Sequence, residues 1–317
     1  MSATAAPAQR VATRRPRGAE EAKARRERWA RRGPLLPALI FLIIVTQIPF
    51  VLTVFYSLFS WDLAKPGSPH WVGLSNYGAV FTDPVFFAAV LHTVEITFIS
   101  VGIATLLGLG LAVLLDRAFV GRAIVRTLLI SPFLILPTAA GLIWKTTLLD
   151  PTYGIVNWII RIFGGTPVAF VTAQPMASVI ATVVWQWTPF EMLILLAGLQ
   201  SMPRDVLEAA RVDGASALAS FRELTLPHLR SYLELGILLG AIYVVNTFDA
   251  IYMVTQGGPG TETTNLPYYI YQRAFLGFEV GQSAALGVVT VVGTLIVASV
   301  ALRVMFSIFI EDNTAKA

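Results

Sequence analysis

Three carboxylates, Glu95, Glu191 and Asp249, lie inside long apolar runs of this 317-residue chain, and similar runs carry Trp144, Gln186, Trp187, Asn246 and Tyr252. A charge in hydrocarbon costs on the order of 3 kcal/mol unless it faces protein or water, so these residues mark either a polar path or contacts between helices. Aromatic rings that stack on sugar faces, with amides and carboxylates accepting hydroxyl protons, are the chemistry of a path for a sugar or polyol. Plainer uses stand beside that one: Trp144 and Lys145 as interface anchors, Gln186 and Asn246 as bridges between helices. The three carboxylates also suit a carrier coupled to protons or sodium ions, which is a second reading of the chain.

Covalent chemistry is not signalled. The chain has no cysteine, and its three histidines, His70, His92 and His228, are far apart, so neither a thiolate nucleophile nor a His-rich metal centre is expected. No Ser/His/Asp set converges on one membrane face, which makes a membrane-bound enzyme the weakest reading. There is no Gly-x-x-x-x-Gly-Lys-Ser/Thr phosphate loop either, so any ATP is hydrolysed on another polypeptide and no bound cofactor is expected here.

Composition fixes the class. With 56% hydrophobic residues, 13% charged residues and a mean hydropathy of +0.69, the chain has too little polar surface for a water-soluble globule. Its charge is uneven: residues 1–33 hold ten Lys or Arg against three acids, and the rest holds thirteen against sixteen, so a net +4 divides into +7 and −3. A basic segment abutting an apolar run is a topology signal attracted to anionic lipid.

Six apolar runs are expected to be membrane helices, at 36–59, 91–115, 127–148, 176–199, 233–254 and 284–310. The first is too long for a signal peptide's apolar core. Pro132 and Pro137 are expected to kink the third. Residues 60–85 and 255–283, rich in Pro, Gly and aromatics, read as external connectors, and 155–163 as an interfacial helix. Nineteen Lys or Arg fall on the side that holds both termini and four on the other, so that side is expected to be cytoplasmic.

Between the fourth and fifth runs lies a stretch that cannot sit in hydrocarbon, because it mixes Asp205, Glu208, Asp213 and Glu223 with Arg204, Arg211, Arg222 and Arg230. It reads as two short helices at an angle. Ser201 is placed to cap the first, Pro203 to sit in its first turn, and Gly214 to close it in the left-handed conformation. The second starts near Ser216, presents Leu218, Phe221 and Leu224 as one stripe, and ends where Pro227 forces Leu226 out of helical geometry.

Glu208-Ala209-Ala210, then Asp213-Gly214-Ala215, Phe221, Leu224 and Leu226-Pro227 resemble the EAA loop of ATP-binding-cassette importer permeases. Val72-Gly73-Leu74-Ser75-Asn76-Tyr77 and Phe248-Asp249 with Gly257-Gly258-Pro259 resemble loops of the sugar-type permeases within that group, although His92-Thr93 stands where they often have Asn-Thr. The resemblance implies an all-α, six-span fold of the type I importer class over 34–310, with a coupling loop at 201–232, between cytoplasmic tails at 1–33 and 311–317. It implies a bacterial inner-membrane subunit that forms half of a path with a paralogous permease. Two cytoplasmic ATPases drive that path, and an extracytoplasmic solute-binding protein feeds it. Glu208, Ala209, Ala210, Asp213, Gly214, Ala215, Phe221, Leu224 and Pro227 are then the ATPase-coupling residues. The wording from Ser131-Pro132-Phe133 to Asn157-Trp158 looks most like permeases for sorbitol or mannitol.

The charge asymmetry makes a topology prediction. A reporter active only in the cytoplasm is expected to work when fused after Arg126 or within residues 216–220 and to be silent at Gly260; the reverse pattern would sink the six-span arrangement.

Overall fold

A computed structural model describes Gly33 and residues 35–314, so the basic N-terminal tail, Gly33 apart, and the last residues of the C-terminal tail lie outside the described residues. The chain divides into two units between Phe55 and Tyr56. Helix α1 (Leu35–Ser57) is apolar along its length; it belongs to the first unit up to Phe55, and its last two residues, Tyr56 and Ser57, are counted in the second.

The second unit opens with a small antiparallel pair, β1 (Phe59–Ser60) and β2 (His70–Trp71), with Phe59 opposite Trp71. Helices α2 (Ser75–Thr82), α3 (Pro84–Asp116), α4 (Arg122–Leu134) and α5 (Pro137–Ile143) follow, the last running on through a π-helical turn, Trp144–Leu148. Then come α6 (Ile155–Ile162), α7 (Phe170–Ala173), α8 (Pro175–Ser201), α9 (Arg204–Val212) and α10 (Ala217–Ser220). The remainder is α11 (Leu226–Val244), α12 (Asp249–Val254), α13 (Leu266–Tyr271) and α14 (Val280–Thr314).

The core is the packing of α3, α8 and α11 on one another. Glycines set how close they come. A Cβ on Gly108 of α3 would stand 2.8 Å from Glu191 Cβ on α8, and one on Gly198 of α8 would stand 2.7 Å from Leu229 and Tyr232 on α11. In a bilayer, where lipid tails compete equally for apolar side chains, such close backbone approach supplies the van der Waals contact that holds helices together.

Among the described residues α1, α3 and α8 are each long and apolar enough to cross a membrane, and a bent pair made of α4 and α5 counts as a fourth. The fifth and sixth expected spans look different. Helix α11 carries Arg230 and Glu234 in its first half and stops at Val244, and the described apolar part of α14, Val280–Ile296, is short of a full span.

Four local expectations are corrected. The third run is not a kinked rod: α4 and α5 meet at 101°, because Pro137 has no N–H to continue the ladder and bars Leu136 from helical geometry. The fifth run breaks after Val244 and resumes at Asp249. Leu226 stays helical beside Pro227, since a π-helical turn, Phe221–Thr225, joins α10 to α11 and leaves proline in the first turn of α11, where its missing N–H costs little. The external connector is also more regular than a loop, with β1, β2 and α2 inside it.

An ionic clasp ties the outer ends together. Asp83 caps α3 through the Val85 amide at 2.8 Å and accepts hydrogen bonds from Tyr269 and Arg273, while Arg273 also reaches Glu279 at 2.6 Å and Tyr269 Oη at 2.7 Å. Burial alone would raise the Asp83 pKa, but the bonds from Tyr269, Val85 and Arg273 outweigh it and hold the carboxyl below its ordinary value. Burial and the bond to Asp83 push the Tyr269 phenol up to about 12. Asp83 therefore stabilises the fold above the ordinary carboxylate value of about 4, and loses that contribution as pH falls through its lowered value. Tyr269 contributes below about pH 10 and loses it as pH rises towards its raised value. Arg273→Gln is expected to cost about 2 kcal/mol near neutral pH. In thermal unfolding in detergent, that deficit should shrink below about pH 4; a constant deficit would mean that Asp83 is not the partner that matters.

Candidate functional site

The charged stretch folds as a corner. Helix α9 starts after Pro203, whose extended backbone makes it the flanking residue with no side-chain cap. Gly214 closes the helix at φ +84°, with its N–H on Arg211 O at 3.1 Å and the Ala215 N–H on Ala210 O at 2.9 Å. A residue with a side chain is disfavoured in that left-handed conformation. Ser216 then caps α10 by accepting from the Ala219 N–H at 3.2 Å. Glu208, Ala209, Asp213 and Gly214 are exposed on this corner, Ala210, Ala215, Phe221 and Leu224 are half-buried, and Pro227 is exposed. Leu218 is 75% exposed, so the expected apolar stripe is not closed within this chain; only Phe221 and Leu224 turn inward.

Ser201 is not the cap of α9. It ends α8 and joins a cluster with α11: its Oγ donates to Gly198 O at 2.8 Å and accepts from Tyr232 Oη at 2.9 Å, and His228 Nε2 lies 3.0 Å away. His228 Nε2 donates to Gly198 O at 3.2 Å. The corner thus hangs between two helices whose near ends are bonded to one another.

Further along, those two helices carry an aromatic group. Trp187 of α8 stacks on Tyr243 of α11 with ring centroids 5.4 Å apart and an interplanar angle of 24°. Phe133 of α4 meets Trp187 edge-on at 5.6 Å and stacks with Phe190, also at 5.6 Å. Tyr243 is 56% exposed, so one side of this group is open on the chain. A second group forms outside it: Tyr252 stacks on Phe248 at 5.4 Å and meets Tyr271 edge-on at 5.4 Å.

The other residues singled out from sequence are not gathered into one place. Gln186 donates to Ile135 O at 3.1 Å, and Asp249 accepts from Thr138 Oγ1 at 2.5 Å, so both brace the break between α4 and α5. Trp144 packs edge-on against Trp185 at 6.0 Å, with its Nε1 buried and without a hydrogen-bond partner. Asn246 bonds back to Ile242 O at 2.8 Å on its own chain segment. Glu191 is buried among α3, α8 and α11, and Glu95 is half-buried on α3. His92 Nδ1 pairs with Thr264 O at 3.1 Å, a role a side-chain amide could fill.

Sequence reasoning missed Phe133, Phe190 and Tyr243, which read as ordinary apolar positions. The available signal was spacing: Phe190 follows Trp187 by three residues, which puts both on one helix face. Nothing in the sequence brings Tyr243 onto that face.

A family model described as the binding-protein-dependent transport system inner membrane component matches residues 36–309. The chain belongs to this family. The sulfoquinovosyl glycerol transport system permease SmoG of Agrobacterium fabrum is 36% identical over 86% of this chain and 88% of its own length. The trehalose/maltose transport system permease MalF of Thermococcus litoralis is 34% identical over 85% and 91%. Among solved structures, the bacterial alginate ABC transporter in complex with alginate pentasaccharide-bound periplasmic protein matches with a TM-score of 0.76 at 22% identity, over 88% of this chain and 94% of that chain. That likeness shows the helical fold of an ABC importer permease. The chain is accordingly a permease subunit of an importer of this family, and the ion-coupled reading of Glu95, Glu191 and Asp249 is not favoured.

The brace at the break is open to a double-mutant cycle. Asp249→Ala and Thr138→Val are each expected to destabilise the permease by about 1 to 2 kcal/mol, with the double variant no worse than Asp249→Ala alone. Additive losses in detergent melting would show that the two side chains act separately.

Proposed function

We propose that this permease conducts a sugar or sugar alcohol, with six spans and both termini in the cytoplasm, as half of a path completed by a second permease. Cytoplasmic ATPases bind the corner at Glu208, Ala209 and Gly214, and a solute-binding protein delivers substrate from outside. Trp187, Phe133, Phe190 and Tyr243 form the aromatic side of the path. The observation that carries this reading is connectivity: the exposed corner joins α8 to α11, and those helices present Trp187 and Tyr243 to one another. An ATPase can move the path only through a contact that differs between its nucleotide states, and a displaced corner necessarily displaces α8, α11 or both. The relatives, named as transport systems for sulfoquinovosyl glycerol and for trehalose or maltose, support a carbohydrate solute.

Three experiments test the reading. Binding calorimetry on the partner solute-binding protein with sorbitol, mannitol, maltose and trehalose should identify at least one ligand, and uptake of that ligand by the assembled transporter follows. Gly214→Asp and Ala209→Trp should abolish uptake and ATPase co-purification, and Glu208→Ala should weaken both. Full transport with a disrupted Gly214 corner would mean that this loop does not couple. A stacked ring contributes on the order of 1 kcal/mol, so Tyr243→Ala should weaken apparent affinity about fivefold while the ATPases still co-purify.

A further inference from the structure

Glu191 sits one helical turn after Trp187 on α8, only 1% exposed, and the room for its carboxyl exists because three residues of two other helices are glycine. A Cβ at Gly240 would stand 2.7 Å from Glu191 Oε1, a Cβ at Gly236 would fall on Oε2, and a Cβ at Gly108 would meet the Glu191 Cβ. Glu191 Oε2 and the buried hydroxyl of Ser100 on α3 have no hydrogen-bond partner. Thr105 is the polar neighbour of the carboxyl.

This is an awkward way to fill a helix contact. A leucine or methionine would occupy the same glycine-lined space without burying an unsatisfied oxygen, and a buried carboxyl with one oxygen left unsatisfied opposes the packed arrangement. The geometry gives the awkwardness a direction. Gly240 precedes Tyr243 by three residues, so the carboxyl lies directly between the Trp187–Tyr243 stack and the end of α8 that enters the coupling corner. Because glycines face it, no side chain has to move aside when α11 draws away from α8; the carboxyl is bared at once to whatever enters the seam.

We infer that Glu191 is a substrate contact of the inner half of the path, hidden in this conformation and uncovered when α11 separates from α8, where it hydrogen-bonds the hydroxyl groups of a passing polyhydroxylated solute. The inference rests on reading the α8–α11 seam as part of the path. In the closed seam the carboxyl costs stability, and in the open seam water and then substrate hydroxyls satisfy it. Glu191 therefore both biases the seam towards opening and reads the hydroxyl character of what passes.

The chain has no cysteine, so Glu191→Cys introduces its single thiol. In the complete transporter in vesicles, modification of that thiol by a small methanethiosulfonate cation, read by mass spectrometry of this chain, is expected to be about tenfold or more faster in one of the nucleotide-free and ATP–vanadate-trapped states than in the other. Equal protection in both states would overturn the inference. Glu191→Gln, which keeps the shape and the hydrogen-bonding capacity, should raise KM for maltose or sorbitol only slightly, whichever the wild type transports, while Glu191→Leu should raise it about tenfold with the complex still assembled. A wild-type KM in Glu191→Leu would reduce the residue to packing. Trp187→Ala separates the two failures: if it loses uptake while Glu191→Leu does not, the path reading stands and this inference falls; if neither changes uptake, the path reading itself falls.

Discussion

The structure depends on how closely α3, α8 and α11 approach one another, and that distance is set by glycines. Gly108, Gly198, Gly236 and Gly240 each lie where an added Cβ would collide with the neighbouring helix. Burial of apolar surface gives helices little reason to associate once they are in lipid, so contact at short range has to do it.

Mechanical continuity follows from that seam. Helix α8 runs directly to Ser201, the corner at Gly214 intervenes, and α10 passes through a π-helical turn into α11 without a stop. Ser201, Gly198, His228 and Tyr232 bind the two helices to one another beside the corner. At the far end, Asp83, Tyr269, Arg273 and Glu279 tie α3 to α13 and α14. Between these two fastened ends lie the aromatic group and Glu191.

Polar residues in the apolar runs divide into two kinds. Gln186 and Asp249 compensate for a break, satisfying a carbonyl and a hydroxyl near the 101° turn that Pro137 creates. Trp187 belongs to a surface that stays open on this chain through Tyr243. Composition cannot separate these kinds, because an amide that braces a backbone and an indole in an exposed aromatic stack look equally out of place in a hydrophobic run.

The sequence by itself determined the membrane class, most helix positions and the corner at Gly214, since each follows from local rules: apolar run length and the left-handed tolerance of glycine. It also carried the family, because the spacing from Glu208 to Pro227 is a one-dimensional pattern. Only the tertiary structure decided that Pro137 produces a sharp break, that Pro227 does not interrupt a helix, and that Ser201 serves α11 and not α9. It also decided that Phe133, Phe190 and Tyr243 join Trp187 and that three glycines enclose Glu191. Those facts rest on which faces of separate helices meet, and residues far apart in the chain meet through packing, for which no local spacing stands proxy.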